Sequence, residues 1–223
     1  MSYGKTFNNL FLSILFATII FNTTSFSQNR VEISIMSGYQ MLGTIDAYYN
    51  PGSFEGELNI NNAAFYSAVF GYKVEREVIF EVQYLYQPTK TNFVYTGSAE
   101  IAFPAISDDI GMHYIMFGAI YEKPLSRTAT GYGGLLIGTS GLVPDKDYES
   151  EWRLAFGITL GAKFMVSENI GIKIQTQGLF PVQWGSGNIY TGPNGEGYSV
   201  TSCTLITQVN VGGGLFYAFY LIN

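Results

Sequence analysis

Few side chains in this sequence have the chemistry to do work: one histidine, His113, one cysteine, Cys203, and five charges at alternate positions of apolar stretches, Glu32, Glu81, Arg153, Lys163 and Lys173. A serine–histidine hydrolase needs an imidazole beside an activated serine, and His113 has no recognisable motif around it. A single cysteine excludes an intrachain disulfide and a cysteine-rich metal site. Metal-ligand clusters, phosphate loops and nucleophile elbows do not occur. Asp108-Asp109 reads as a solvated loop edge, and Asp145 to Glu151 lacks the glycine and spacing of an EF-hand. The sequence therefore offers no catalytic residue, no cofactor site and no metal site, and a non-enzymatic protein is expected.

The five alternating charges suggest a structural chemistry instead. Buried charge of both signs must be paired or hydrogen-bonded, because one partner left alone costs several kcal/mol. With Gln83, Gln175, Gln177, Gln208 and Asn210 they read as a polar network filling an interior. A narrow ion or solute path, with room left by Gly157, Gly161, Gly212 and Gly214, is the alternative.

The element that must position them is clearest between Trp152 and Phe164. One side reads Trp152, Leu154, Phe156, Ile158, Leu160, Ala162, Phe164, and the other Arg153, Ala155, Gly157, Thr159, Gly161, Lys163. A period of two is a strand signal. At about 3.3 Å per residue the stretch spans about 43 Å, enough to cross a membrane when tilted in a barrel wall. Its apolar side, with an aromatic at each end, suits lipid, and the small, charged side suits an interior.

The remainder of the sequence is consistent with that reading. Lys5 and the apolar run Leu10 to Phe21, too short for a spanning helix, predict a signal peptide over 1–27, with residues 28–223 as one domain. The composition is 47% hydrophobic and 13% charged with 26 glycines, and no other long apolar run, so the hydrophobicity has to lie in alternation. The formal charge of −6, with no clustered positive face, excludes nucleic acid as a partner.

Eight strands are predicted: from Arg30, over Asn62–Val74, from Val78 to Gln87, Ile110–Tyr121, Gly131–Gly141, Trp152–Phe164, from Ile170 to Phe180, and from Thr201. Gly43–Ile60 and Gly185–Gly197 read as loops, and Pro88 is expected to interrupt pairing. Long connections alternate with short ones, which predicts periplasmic termini and four long external loops. Those loops are rich in Asp46, Glu55, Glu57, Glu100, Asp145, Asp147, Glu149 and Glu196, with Tyr48, Tyr49, Tyr95, Tyr190 and Tyr198 as aromatic contact surface.

On this pattern, and on Gly214, Tyr217 and Phe219 near the end, the chain resembles the small eight-stranded outer-membrane barrels, among them the OmpA transmembrane domain, OmpX and OmpW. Gly212 stands where the family's C-terminal signal has a polar residue, and Leu221-Ile222-Asn223 extend past the aromatic. The resemblance implies an all-β, eight-stranded antiparallel up-and-down transmembrane barrel in the outer membrane of a Gram-negative bacterium. It also implies lipid around the wall and a barrel-assembly machinery that reads Gly214, Tyr217 and Phe219. A structural or interaction role, with an extracellular or envelope protein partner at the loops, is the first functional expectation. An OmpW-like narrow channel for small or apolar solutes is the second, and a lipid-modifying enzyme using His113 a distant third.

Overall fold

The computed structural model describes residues 30–42, 44–50, 54–95, 106–144, 150–183, 187–191, 197–200, 204–205 and 207–220. The expected leader, Cys203, Glu100, Asp145, Asp147, Glu149 and Glu196 lie outside the described residues.

Eight long strands carry the fold: β1 (Arg30–Leu42), β2 (Ala63–Lys73), β3 (Val78–Tyr95), β4 (Ile106–Pro124), β5 (Ala129–Pro144), β6 (Glu151–Met165), β7 (Ile170–Gln183) and β8 (Gln208–Tyr220). Each pairs antiparallel with the next. β8 pairs back onto β1, from Arg30 opposite Tyr220 to Leu42 opposite Gln208, so the sheet closes into a barrel. Residues 74–77, 125–128 and 166–169 make tight turns at one end, the turn side; the longer connections lie at the other, the loop side.

Closure removes the sheet edges, and alternation then sorts the side chains. On β6 the predicted apolar face lies outside, with Trp152, Ile158 and Leu160 exposed, while Ala155, Thr159 and Lys163 are buried. The outer face is apolar while ionised groups lie within: Ile35 is 73% and Leu135 67% exposed, whereas Glu32 is 2% and Lys173 0% exposed. In water such a surface would aggregate. In a membrane it is the stable arrangement, with apolar residues towards lipid and ionised ones within. The chain is a transmembrane β-barrel.

Several local expectations are corrected. Gly43–Ile60 is not wholly loop, because Thr44–Asn50 and Phe54–Ile60 pair as a hairpin. That hairpin extends the barrel wall, since Phe54–Ile60 also pairs with the end of β3. Nor does Pro88 end β3, which runs on to Tyr95 with Pro88 opposite Gly111. The β2 ladder stops at Tyr66 opposite Tyr86, so residue 88 has a pairing neighbour on one side only, where a missing N–H is tolerated. Part of Gly185–Gly197 is also strand, because Gly187–Thr191 pairs with Gly197–Val200. The last long strand begins at Gln208 rather than Thr201.

Candidate functional site

An eight-stranded barrel has an interior just wide enough for its own side chains, so any activity of the lumen depends on what fills it. Near the turn side the filling is ionic. Lys163 Nζ lies 2.5 Å from Glu32 Oε2, 2.5 Å from Glu122 Oε1 and 4.0 Å from Glu81 Oε1. Lys173 Nζ donates to Glu81 Oε1 at 2.8 Å. At the margin, Arg30 pairs with Glu32 at 2.9 Å and Lys73 with Glu122 at 2.8 Å. The Tyr132 ring lies under both lysine amines, at 5.4 and 4.9 Å, and Phe216 lies 5.9 Å from Lys163.

Every stave contributes to this layer: Glu32 from β1, Lys73 from β2, Glu81 from β3, Glu122 from β4, Tyr132 from β5, Lys163 from β6, Lys173 from β7 and Phe216 from β8. Lys163 and Lys173 stand directly opposite each other in register. Like charges so placed repel, and the carboxylates reaching across the lumen offset that repulsion. The layer is a cross-barrel tie of paired charges.

Amides follow towards the loop side. Gln177 donates to Gln83 at 2.8 Å, Gln83 to Ser67 at 3.0 Å, and the Tyr132 hydroxyl to Gln175 at 3.1 Å. Farther up, the Tyr114 hydroxyl and the Gln40 amide both donate to the Gln208 carbonyl oxygen. A contiguous apolar cluster packs alongside these amides, including Phe65, Leu85, Met112, Met116, Leu136 and Leu179. Gly161 and Gly212 give way to the rings of Tyr132 and Phe65 respectively, with which a Cβ there would collide.

Of the five charges read from alternation, the structure brings Glu32, Glu81, Lys163 and Lys173 together. Arg153 lies elsewhere: ten residues from Lys163 on β6, or about 33 Å along the strand. It is half-buried beside Ser140, Leu142 and Gln208, around a cavity of about 10 Å³. Glu122, Lys73, Arg30 and Tyr132 were not among the predicted site residues. Glu122 has a usable signal, because Tyr114, Met116, Gly118, Ile120 and Glu122 continue one alternation a residue past the predicted strand end at Tyr121. Near the chain end, Gly214 lies opposite Met36 and Lys173, and Tyr217 is exposed on the wall with its ring centroid 6.1 Å from that of Phe219.

At the loop side the wall continues beyond the barrel as a sheet of the strands Gly187–Thr191, Gly197–Val200, Thr44–Asn50 and Phe54–Ile60. Its register sets Phe54 opposite Tyr49, Tyr49 opposite Tyr198, and Tyr198 opposite Tyr190. Four aromatic positions from distant parts of the sequence thus form one row on one face, about 14 Å long at about 4.8 Å per strand. Asp46 stands opposite Glu57, and Tyr48 opposite Glu55, on the other face of the same hairpin. Among the described residues no group of three or more His, Cys, Asp or Glu is placed to hold a metal ion.

No protein-family model matches the chain, and no curated protein matches it. Solved structures do match in fold. Neisserial surface protein A superposes with a TM-score of 0.51 at 14% identity, covering 86% of this chain and 98% of that one. The outer membrane protein OprG from Pseudomonas aeruginosa superposes with a TM-score of 0.52 at 13% identity, covering 87% of this chain and 99% of that one. The fold is that of the small eight-stranded outer-membrane barrels.

Proposed function

We propose that this chain is a non-enzymatic integral protein of the outer membrane of a Gram-negative bacterium, with periplasmic termini, whose role is structural or interaction-based. The observation that carries this reading is the filled lumen. An ionic layer fed by all eight staves and the apolar cluster beyond it leave the wall and the loop-side face as the working surfaces. The loop-side sheet sets an aromatic row on one face and carboxylate positions on the other, suited to an extracellular or envelope protein partner. Gly214, Tyr217 and Phe219 are the segment for the barrel-assembly machinery during insertion.

The test is planar-bilayer conductance of the refolded mature chain, read beside its heat-dependent gel shift. A gel shift without steady conductance is expected, and pull-down from envelopes with the loops intact then identifies the partner. Reproducible conductance steps would overturn the reading in favour of a narrow channel.

A further inference from the structure

The outer wall holds a groove of about 1150 Å³ that the filled lumen does not explain. It runs from Ile170 and Tyr217 near the turn side, past Ile35 and Ala68, to Tyr84 and His113 towards the loop side. Its floor is low because small residues meet there: Ser37 lies opposite Gly213 on β8, and Ala68 lies opposite Ile35. The flanking Ile35, Tyr66 and Leu215 are all outward-facing and exposed, so the groove opens to lipid.

One end of it is polar. Tyr84 Oη lies 2.8 Å from His113 Nδ1, and the Tyr86 ring centroid lies 4.9 Å from the imidazole. Trp152, the outward aromatic at the start of β6, is 6.4 Å away. A Cβ on Gly111 would fall 3.0 Å from His113 Nε2, so the glycine lets the imidazole lie against the wall. In the tautomer in which the tyrosine hydroxyl donates to Nδ1, Nε2 carries the ring proton and is the donor at the end of the groove. A polar group on the lipid face costs least near the interface, and acyl chains offer it no acceptor.

A groove apolar along its length and donor-tipped at one end has the polarity of a single amphiphile aligned with the wall. Its volume exceeds the roughly 300–1,000 Å³ of sites for drug-sized ligands. We propose that it seats one phosphate-bearing membrane lipid, its acyl chain over Ser37, Ala68 and Gly213 and its phosphate accepting from His113 Nε2. This site is independent of whatever the loops engage.

The experiment is native mass spectrometry of the refolded full-length mature barrel, released from detergent after incubation with equimolar dioleoylphosphatidylglycerol and dioleoylglycerol. The wild type is expected to retain one phosphatidylglycerol per barrel, about tenfold over the diacylglycerol, the worth of one charge-assisted hydrogen bond. His113→Phe abolishes that preference, and Ala68→Leu, which fills the floor, lowers retention of both lipids. Both substitutions lie on the lipid-facing wall, and the heat-dependent gel shift checks folding. Equal retention of the two lipids by the wild type, an unchanged preference in His113→Phe, or unchanged retention in Ala68→Leu would overturn the proposal.

Discussion

Replacing Lys173 with methionine removes the amine from the lumen while nearly conserving the volume. Glu81 then loses its 2.8 Å partner and keeps only Lys163, at 4.0 Å. Removing one member of a buried pair costs about 3–5 kcal/mol, because the other charge stays desolvated. The upper half of that range is expected here, since Lys173 is fully buried and Glu81 has no second base in close contact among its described pairs. Lys163→Met is expected at the lower end, about 3 kcal/mol, although it breaks two 2.5 Å contacts. Glu32 keeps Arg30 at 2.9 Å and Glu122 keeps Lys73 at 2.8 Å, so neither carboxylate is stranded. The assay is urea unfolding in lipid vesicles, followed by tryptophan fluorescence and the gel shift. The double variant Lys173→Met with Glu81→Gln should recover most of the loss, because no uncompensated charge remains. A Lys173→Met cost below about 1 kcal/mol, the size of an exposed pair, would mean that the layer is hydrated and screened, and the reasoning would fail.

Three further substitutions probe other parts of the barrel by the same unfolding assay. Ile158→Arg places a charge halfway along the outer face of β6 and should cost about 2–4 kcal/mol in bilayers; an effect within about 0.5 kcal/mol would contradict a lipid-facing wall. Tyr114→Phe removes one of the two donors to Gln208 and should cost about 1 kcal/mol, with no loss of gel shift. Gly161→Ala drives a methyl into the Tyr132 ring and should cost about 1–3 kcal/mol; a neutral outcome would show free space in the lumen at that level.

Alternation made the barrel legible, because a period of two is read locally and every stave carries it. The Ile33–Ile35 side of β1 and the Glu81–Gln83 side of β3 could be assigned without knowing their neighbours. The Thr44–Ile60 hairpin carries the same signal, with Ile45, Ala47 and Tyr49 set against Thr44, Asp46 and Tyr48. It was hidden because Asn50-Pro51-Gly52 reads as a loop signal in the sequence. Partner choice was not legible at all. That Lys163 would meet Glu32 and Glu122, 131 and 41 residues away, depends on strand order and stagger, which appear only when the ring closes. The Tyr49–Tyr198 row depends on the same closure, since nothing in either local sequence sets them opposite.

That dependence on closure is also the strongest physical reason for placing a layer of charge in the lumen when an apolar filling of equal volume would cost less desolvation. Apolar plugs tolerate sliding, because one isoleucine packs much like the next. A strand shifted by one residue turns every side chain to the opposite face, so a slipped β6 would present Lys163 to lipid and leave Glu32 and Glu122 without it. The same slip in β3 or β4 would put Glu81 or Glu122 outside. Because Glu32, Glu81, Glu122, Lys163 and Lys173 come from five staves and share partners, the layer is satisfied only when all five are in register together. The apolar cluster and the ladder hydrogen bonds supply adhesion between staves, and the buried ions supply the penalty for every wrong pairing. A lumen built this way specifies the closed ring, because the ions are all paired only when every strand is in its native register.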